Sequence, residues 1–147
     1  MIRNKKIEHD IYPLLEDLEE SLSIDRDIIF AYIFGSYGIE KPNALSDVDI
    51  AVYLTQRRDY FRKKMELIEK ITSVLRTDEV DLVILNEAPL SLQFQALKTG
   101  RLLFCKNDEL RINFTCRVYD FYCDAESLRK TAEKNLLKRI HEGKIAT

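Results

Sequence analysis

Between Asp27 and Gly35 the chain carries seven apolar residues without interruption, Ile28-Ile29-Phe30-Ala31-Tyr32-Ile33-Phe34. The run is short for a helix and rich in β-branched and aromatic side chains, which marks a strand buried on both faces. Such a strand needs partners beside it and covering layers above and below. It is also the longest apolar stretch in the sequence, far short of the ~20 residues that span a bilayer. The strand stops at Gly35-Ser36. From there to Leu45, the residues Gly38, Pro42 and Asn43 mark a loop or short helical turn.

The remaining elements arrange themselves around this strand. Upstream, Ile7, Ile11, Leu14, Leu15, Leu18 and Leu22 recur every three or four residues, an amphipathic helix whose regular part begins near Tyr12 because Pro13 suits only a first turn. Downstream, Asp47 to Leu54 alternates, with Val48, Ile50, Val52 and Leu54 on one face and Asp47, Asp49, Ala51 and Tyr53 on the other. A charged helix follows, with an expected core stripe of Phe61, Met65, Ile68, Ile71 and Leu75. Val80 to Leu85 reads as a third strand. Pro89 opens a helix with Leu90, Phe94 and Leu97 inward and Gly100 as its cap, and Leu102 to Phe104 is a short fourth strand. From Asp108 to His141 a helical pattern runs through Leu110, Phe114, Val118, Phe121, Ala125, Leu128, Ala132, Leu136 and Ile140. That length exceeds the ordinary globular range and predicts a kink or break near Asp124. The order predicts an α/β (α+β) fold, a sheet of about four strands flanked by helices, with C-terminal helices.

With 147 residues and no linker or internal repeat, residues 1–147 read as one domain, including a C-terminal helical extension over about 107–141. There are 23 basic and 25 acidic residues, a net charge of −2, so the chain lacks the basicity of a dedicated nucleic-acid binder and no direct nucleic-acid binding is expected. The N-terminus shows mixed charge and no apolar leader, and the expectation is a cytoplasmic protein. Three cysteines, Cys105, Cys116 and Cys123, form no Cys-x-x-Cys pair and are expected as buried or half-buried thiols. His9 and His141 lie among charged residues at opposite ends and build no zinc site.

The chemistry lies in Asp47 and Asp49. Two positions apart on a strand, they project from one face, where like charges repel unless a cation lies between them. Hard carboxylate oxygens suit magnesium. Asp81, at the polar break of the next strand, can join them, and three carboxylates on adjacent strands can hold two magnesium ions, as phosphoryl and nucleotidyl transfer require. Gly35 lets the backbone approach a phosphate closely, and Ser36 adds a hydroxyl beside the amides of the following turn.

Gly35-Ser36, ten intervening residues and Asp47-Val48-Asp49 together match the Gly-Ser-x10-Asp-x-Asp motif. The segment 33–54 resembles the polymerase-beta-like nucleotidyltransferases and looks like their minimal, single-domain (MNT) branch, which includes the MntA-type antitoxins that accompany HEPN-domain toxins. Many relatives carry an arginine soon after the Gly-Ser pair; here Lys41 is the basic residue available to replace it. The resemblance implies that ATP binds with its β- and γ-phosphates at Gly35 and Ser36. It implies that Asp47, Asp49 and Asp81 hold magnesium, and that Asp81 helps deprotonate the acceptor hydroxyl. In the MntA-like branch the acceptor is a tyrosine of a cognate HEPN ribonuclease toxin, silenced by AMPylation. Two alternatives stand beside this reading: transfer to a small molecule, and a non-catalytic antitoxin that neutralises by binding.

The last segment carries Arg129, Lys130, Lys134, Lys138, Arg139 and Lys144 against Glu126, Glu133 and Glu142. It reads as a solvated face with pairs such as Glu126–Lys130 and Arg129–Glu133, or as a basic surface for an acidic partner.

Overall fold

The computed structural model describes residues 10–39 and 47–143. Ile7, His9, Lys41 and Lys144 lie outside them, as does most of the expected loop before Asp47. A 3-10 turn at Tyr12–Leu14 leads into α1 (Leu15–Ser23), then β1 (Ile28–Phe34), the short α2 (Gly35–Gly38), β2 (Val48–Leu54) and α3 (Tyr60–Leu75). β3 (Val80–Ile84), α4 (Leu90–Thr99), β4 (Arg101–Cys105) and α5 (Asp108–His141) complete the order. The four strands form one mixed sheet in the order β3-β2-β1-β4. β1 is antiparallel to both β2 and β4, and β2 is parallel to β3 through the α3 crossover.

The apolar β1 runs through the middle because it alone is apolar on both faces. Ala31 and Ile33 point to one side, under Leu15, Leu18 and Leu22 of α1 and Leu67, Ile71 and Leu75 of α3. Phe30, Tyr32 and Phe34 point to the other, under Ala96 of α4 and Phe114 and Val118 of α5. Phe30 stacks on Tyr53 of β2 with ring centroids 4.9 Å apart, and Phe114 tilts onto Tyr53 at 5.0 Å.

Three expectations are corrected. Phe61 and Met65 are not in the core: they are 73% and 44% exposed, and α3 turns Lys63, Leu67, Ile71 and Leu75 inward. The reason is electrostatic. The Lys63 ammonium meets Asp25 at 2.8 Å and Asp27 at 2.9 Å, so a lysine fills a slot that apolar periodicity assigns elsewhere. Second, α5 is one unbroken helix of 34 residues with no break at Asp124, because no Gly or Pro interrupts it. Its Asn107 side chain caps the start by accepting from the Leu110 N–H at 3.0 Å. Third, Cys116 and Cys123 are exposed and only Cys105 is half-buried. Glu126 pairs with Arg129 (2.9 Å), which also reaches Glu133 (2.8 Å). No helix among the described residues is long and apolar enough to cross a membrane.

The Lys63 cluster yields two expectations. Lys63→Ala strands a carboxylate, Asp25, whose side chain is only 11% exposed, and is expected to cost about 3 kcal/mol in urea unfolding, the low end for a buried pair broken on one side. Lys63→Met, retaining most of the apolar stem, should cost a similar amount if charge and not packing decides. Hydrogen bonds from Lys63 and then Arg57 hold the Asp27 carboxyl below its ordinary 3.8. A lowered folded pKa means that stability is present above that value and lost as pH falls through the folded one. The stability difference between wild type and Asp27→Asn should therefore be full at neutral pH and shrink below pH 3.8; a constant difference down the acid limb would exclude this contribution.

Candidate active site

The site forms where β1 ends and β2 begins. Phe34, the last residue of β1, pairs with Asp49 of β2, and Asp49 pairs in parallel register with Asp81 of β3. In-register parallel neighbours show their side chains on the same face. Asp49 and Asp81 thus rise on the side of the sheet that carries Ala51, Tyr53 and Val83, about 5 Å apart at the backbone. Asp47 immediately precedes β2 and is half-buried, like Asp49, whereas Asp81 is exposed. The start of β2 is pinned by the Val48 N–H, which donates to the Glu79 carbonyl at 2.9 Å.

Gly35 turns the chain out of β1 with φ of +66°. Two constraints converge there. The left-handed backbone favours glycine, and a Cβ at this position would overlap Asp49 Oδ2. The Asp49 carboxylate therefore lies against the bare Cα of Gly35, between the turn and Asp81. Ser36 follows, half-buried. Tyr37 anchors the turn: its ring is 6% exposed, joins the α1–α3 side of the core and sits 5.7 Å from the Tyr12 ring. Burial pushes its phenol above the ordinary value, and Tyr12 and Asp10 add to the shift.

Sequence reasoning missed the support for the turn. The Gly35 N–H donates to Thr99 Oγ1 at 3.1 Å, and that hydroxyl donates to the Gln95 carbonyl at 2.8 Å. Gly38 packs so tightly on the Thr99 carbonyl that a Cβ would collide with it. Gly100 is the C-cap of α4 as expected, but its φ is −79°, so left-handed geometry is not what selects glycine. A Cβ there would strike the Ala96 carbonyl and crowd the Tyr32 ring. Nothing local marks Thr99 as a partner of a residue 64 positions away.

The five site residues read from the sequence thus gather at one corner of the sheet. Among the described residues no three His, Cys, Asp or Glu side chains are grouped so as to hold a metal ion. The hard oxygens of Asp47, Asp49 and Asp81 are of the donor type that magnesium takes.

The profile of the polymerase beta nucleotidyltransferase domain matches residues 16–109, which span α1 through the start of α5. The chain belongs to this nucleotidyltransferase family. It is similar to the protein adenylyltransferase MntA of Shewanella oneidensis, 30% identical over 139 residues that cover 92% of this chain and 94% of that one. A chain of an MntA–HepT toxin–antitoxin crystal structure aligns with a TM-score of 0.63 at 25% identity, covering 85% of this chain and 98% of that chain. A chain from the tri-AMPylated Shewanella oneidensis HEPN toxin in complex with its MNT antitoxin aligns at 0.60 and 25%, covering 83% and 98%.

Gly35→Ala should separate the turn from the carboxylate. The left-handed conformation alone costs about 1–2 kcal/mol for an L residue, visible as a lower thermal midpoint, and the added methyl must displace Asp49. Nucleotide binding, followed by calorimetry, is expected to be lost even at temperatures where the variant remains folded. Binding at wild-type affinity would show that Asp49 does not need its place against Gly35.

Proposed function

We propose that this chain is a magnesium-dependent protein adenylyltransferase that transfers AMP from ATP to a tyrosine hydroxyl of a cognate HEPN-type ribonuclease toxin, and so acts as its antitoxin in the cytoplasm. The observation that carries the reading is the in-register pair Asp49–Asp81 beside the glycine turn, together with the likeness to MntA over nearly the whole chain. In this reading residues 1–147 work as one minimal domain.

The β- and γ-phosphates lie at Gly35 and Ser36, where the Ser36 hydroxyl donates to a phosphate oxygen. Asp47, Asp49 and Asp81 would hold two magnesium ions. Bound magnesium offsets the charge of the phosphates and of the departing diphosphate. The Asp81 carboxylate, at the open edge of the sheet, accepts the proton of the acceptor hydroxyl. The tyrosine oxygen attacks the α-phosphorus in line, a new P–O bond forms, and the bond to the bridging oxygen of the β-phosphate breaks. AMP remains on the toxin and diphosphate leaves. The corner of the sheet supplies positioning, which converts encounter into an aligned attack.

Mass spectrometry of the separated toxin provides the test. After incubation with the chain, ATP and magnesium, the toxin should gain one or more AMP masses on tyrosine, and its ribonuclease should stay silent once the antitoxin is removed. Asp81→Asn should abolish both, since it removes a ligand and a base while leaving the surface shape unchanged. No added mass, with inhibition that vanishes on separation and survives Asp81→Asn, would establish neutralisation by binding alone.

A further inference from the structure

The turn after β1 sets two demands against each other. Position 35 must be glycine, because its φ is +66° and a Cβ would overlap Asp49 Oδ2. Glycine populates positive and negative φ about equally, so the residue that permits the turn does nothing to hold it. The four residues of α2 add little, since no side chain caps their start. The Ile39 N–H closes α2 on the Gly35 carbonyl at 3.3 Å, downstream of the peptide that joins Phe34 to Gly35.

That peptide is fixed from β4. β1 and β4 are antiparallel, with Tyr32 opposite Leu102 and Ile33 opposite Arg101. The same register carried outward sets Phe34 opposite Gly100 and Gly35 opposite Thr99. A regular backbone rung ends there, because Thr99 is the last residue of α4 and its carbonyl is closed against Gly38. The Thr99 hydroxyl supplies the next rung in its place, accepting from the Gly35 N–H at 3.1 Å. Its single proton goes to the Gln95 carbonyl at 2.8 Å, which leaves its lone pairs for the Gly35 amide. On the opposite side of β1, Phe34 is paired with Asp49.

We propose that Thr99 is a positioning residue for the nucleotide-binding turn, an inference that rests on the adenylyltransferase reading. Its hydroxyl fixes the peptide plane between Phe34 and Gly35, and the contact of the Gly35 Cα with the Asp49 carboxylate then sets the φ of that residue. One hydrogen bond thereby governs where the Ser36 hydroxyl stands relative to Asp49, and alignment at this scale is what the transfer depends on. The bond also decides which groups of the turn can take phosphate. The Gly35 N–H is committed to Thr99, so Gly35 gives the phosphates room and hydrogen bonding to them begins at Ser36. Thr99 acts through Gly35 and needs only its hydroxyl to do so. Serine satisfies that requirement; valine, of nearly the same shape, does not.

The experiment compares the wild type with Thr99→Val, Thr99→Ala and Thr99→Ser as full chains, at a temperature where each is folded by circular dichroism. Exchange of the Gly35 amide is followed by NMR, and ATP is titrated in the presence of magnesium by calorimetry. Thr99→Val and Thr99→Ala should each speed exchange of the Gly35 amide and weaken ATP binding by about fivefold to tenfold, the factor that one hydrogen bond of ordinary strength corresponds to. Thr99→Ser should keep both near the wild type. A role confined to stability would lower the thermal midpoint and leave the ATP affinity of the folded variants unchanged. A Gly35 amide that stays protected in Thr99→Val, a freed amide with ATP affinity equal to the wild type, or a Thr99→Ser variant as weak as Thr99→Val overturns the proposal. A wild type that binds no ATP overturns it together with the adenylyltransferase reading, whereas equal binding by wild type and Thr99→Val overturns this inference alone.

Discussion

The placement of the Asp49 carboxylate against the bare Cα of Gly35 is the contact on which the corner of the sheet depends. It fixes the end of β1 relative to the start of β2, and the parallel register then carries Asp81 to the same face. A side chain at position 35 would displace the Asp49 carboxylate from the turn. The contact also shows why the chain needs so few glycines. Those at 35, 38 and 100 stand where backbone or carboxylate closes on the Cα, and all three lie around the C-terminal end of α4.

α4 is accordingly more than a cover for the sheet. Its last turn offers Thr99 Oγ1 to the Gly35 N–H and the Thr99 carbonyl to the surface of Gly38, while Phe94 in its middle stacks on Tyr122 of α5. One ten-residue helix thus ties the Gly35 turn to α5.

Much of this was legible in the sequence because it rests on local pattern. The unbroken run of β1, the alternation of β2 and the Gly-Ser and Asp-x-Asp pairs all declare themselves through spacing, whereas the strand order and directions do not. What was not legible depends on partners distant in the chain. Lys63 lies inward because Asp25 and Asp27 await it across the fold, and no period in α3 carries that information. Phe61 and Met65 fit a helical stripe as well as Leu67 does, and the ion pairs decide between the two rotations. Thr99 likewise has no motif. The continuity of α5 was misjudged from length alone, although the absence of Gly and Pro in it was visible.

The strand that bears Asp81 is the outermost of the sheet, and among the described residues no further strand lies beside it. On the proposed function the acceptor hydroxyl arrives at Asp81, on the edge of the sheet that no described strand covers. Shielding of the reacting phosphate from water then falls to the molecule that brings the hydroxyl. Fidelity against hydrolysis becomes a property of the encounter, set by how well the acceptor's own surface closes the open edge.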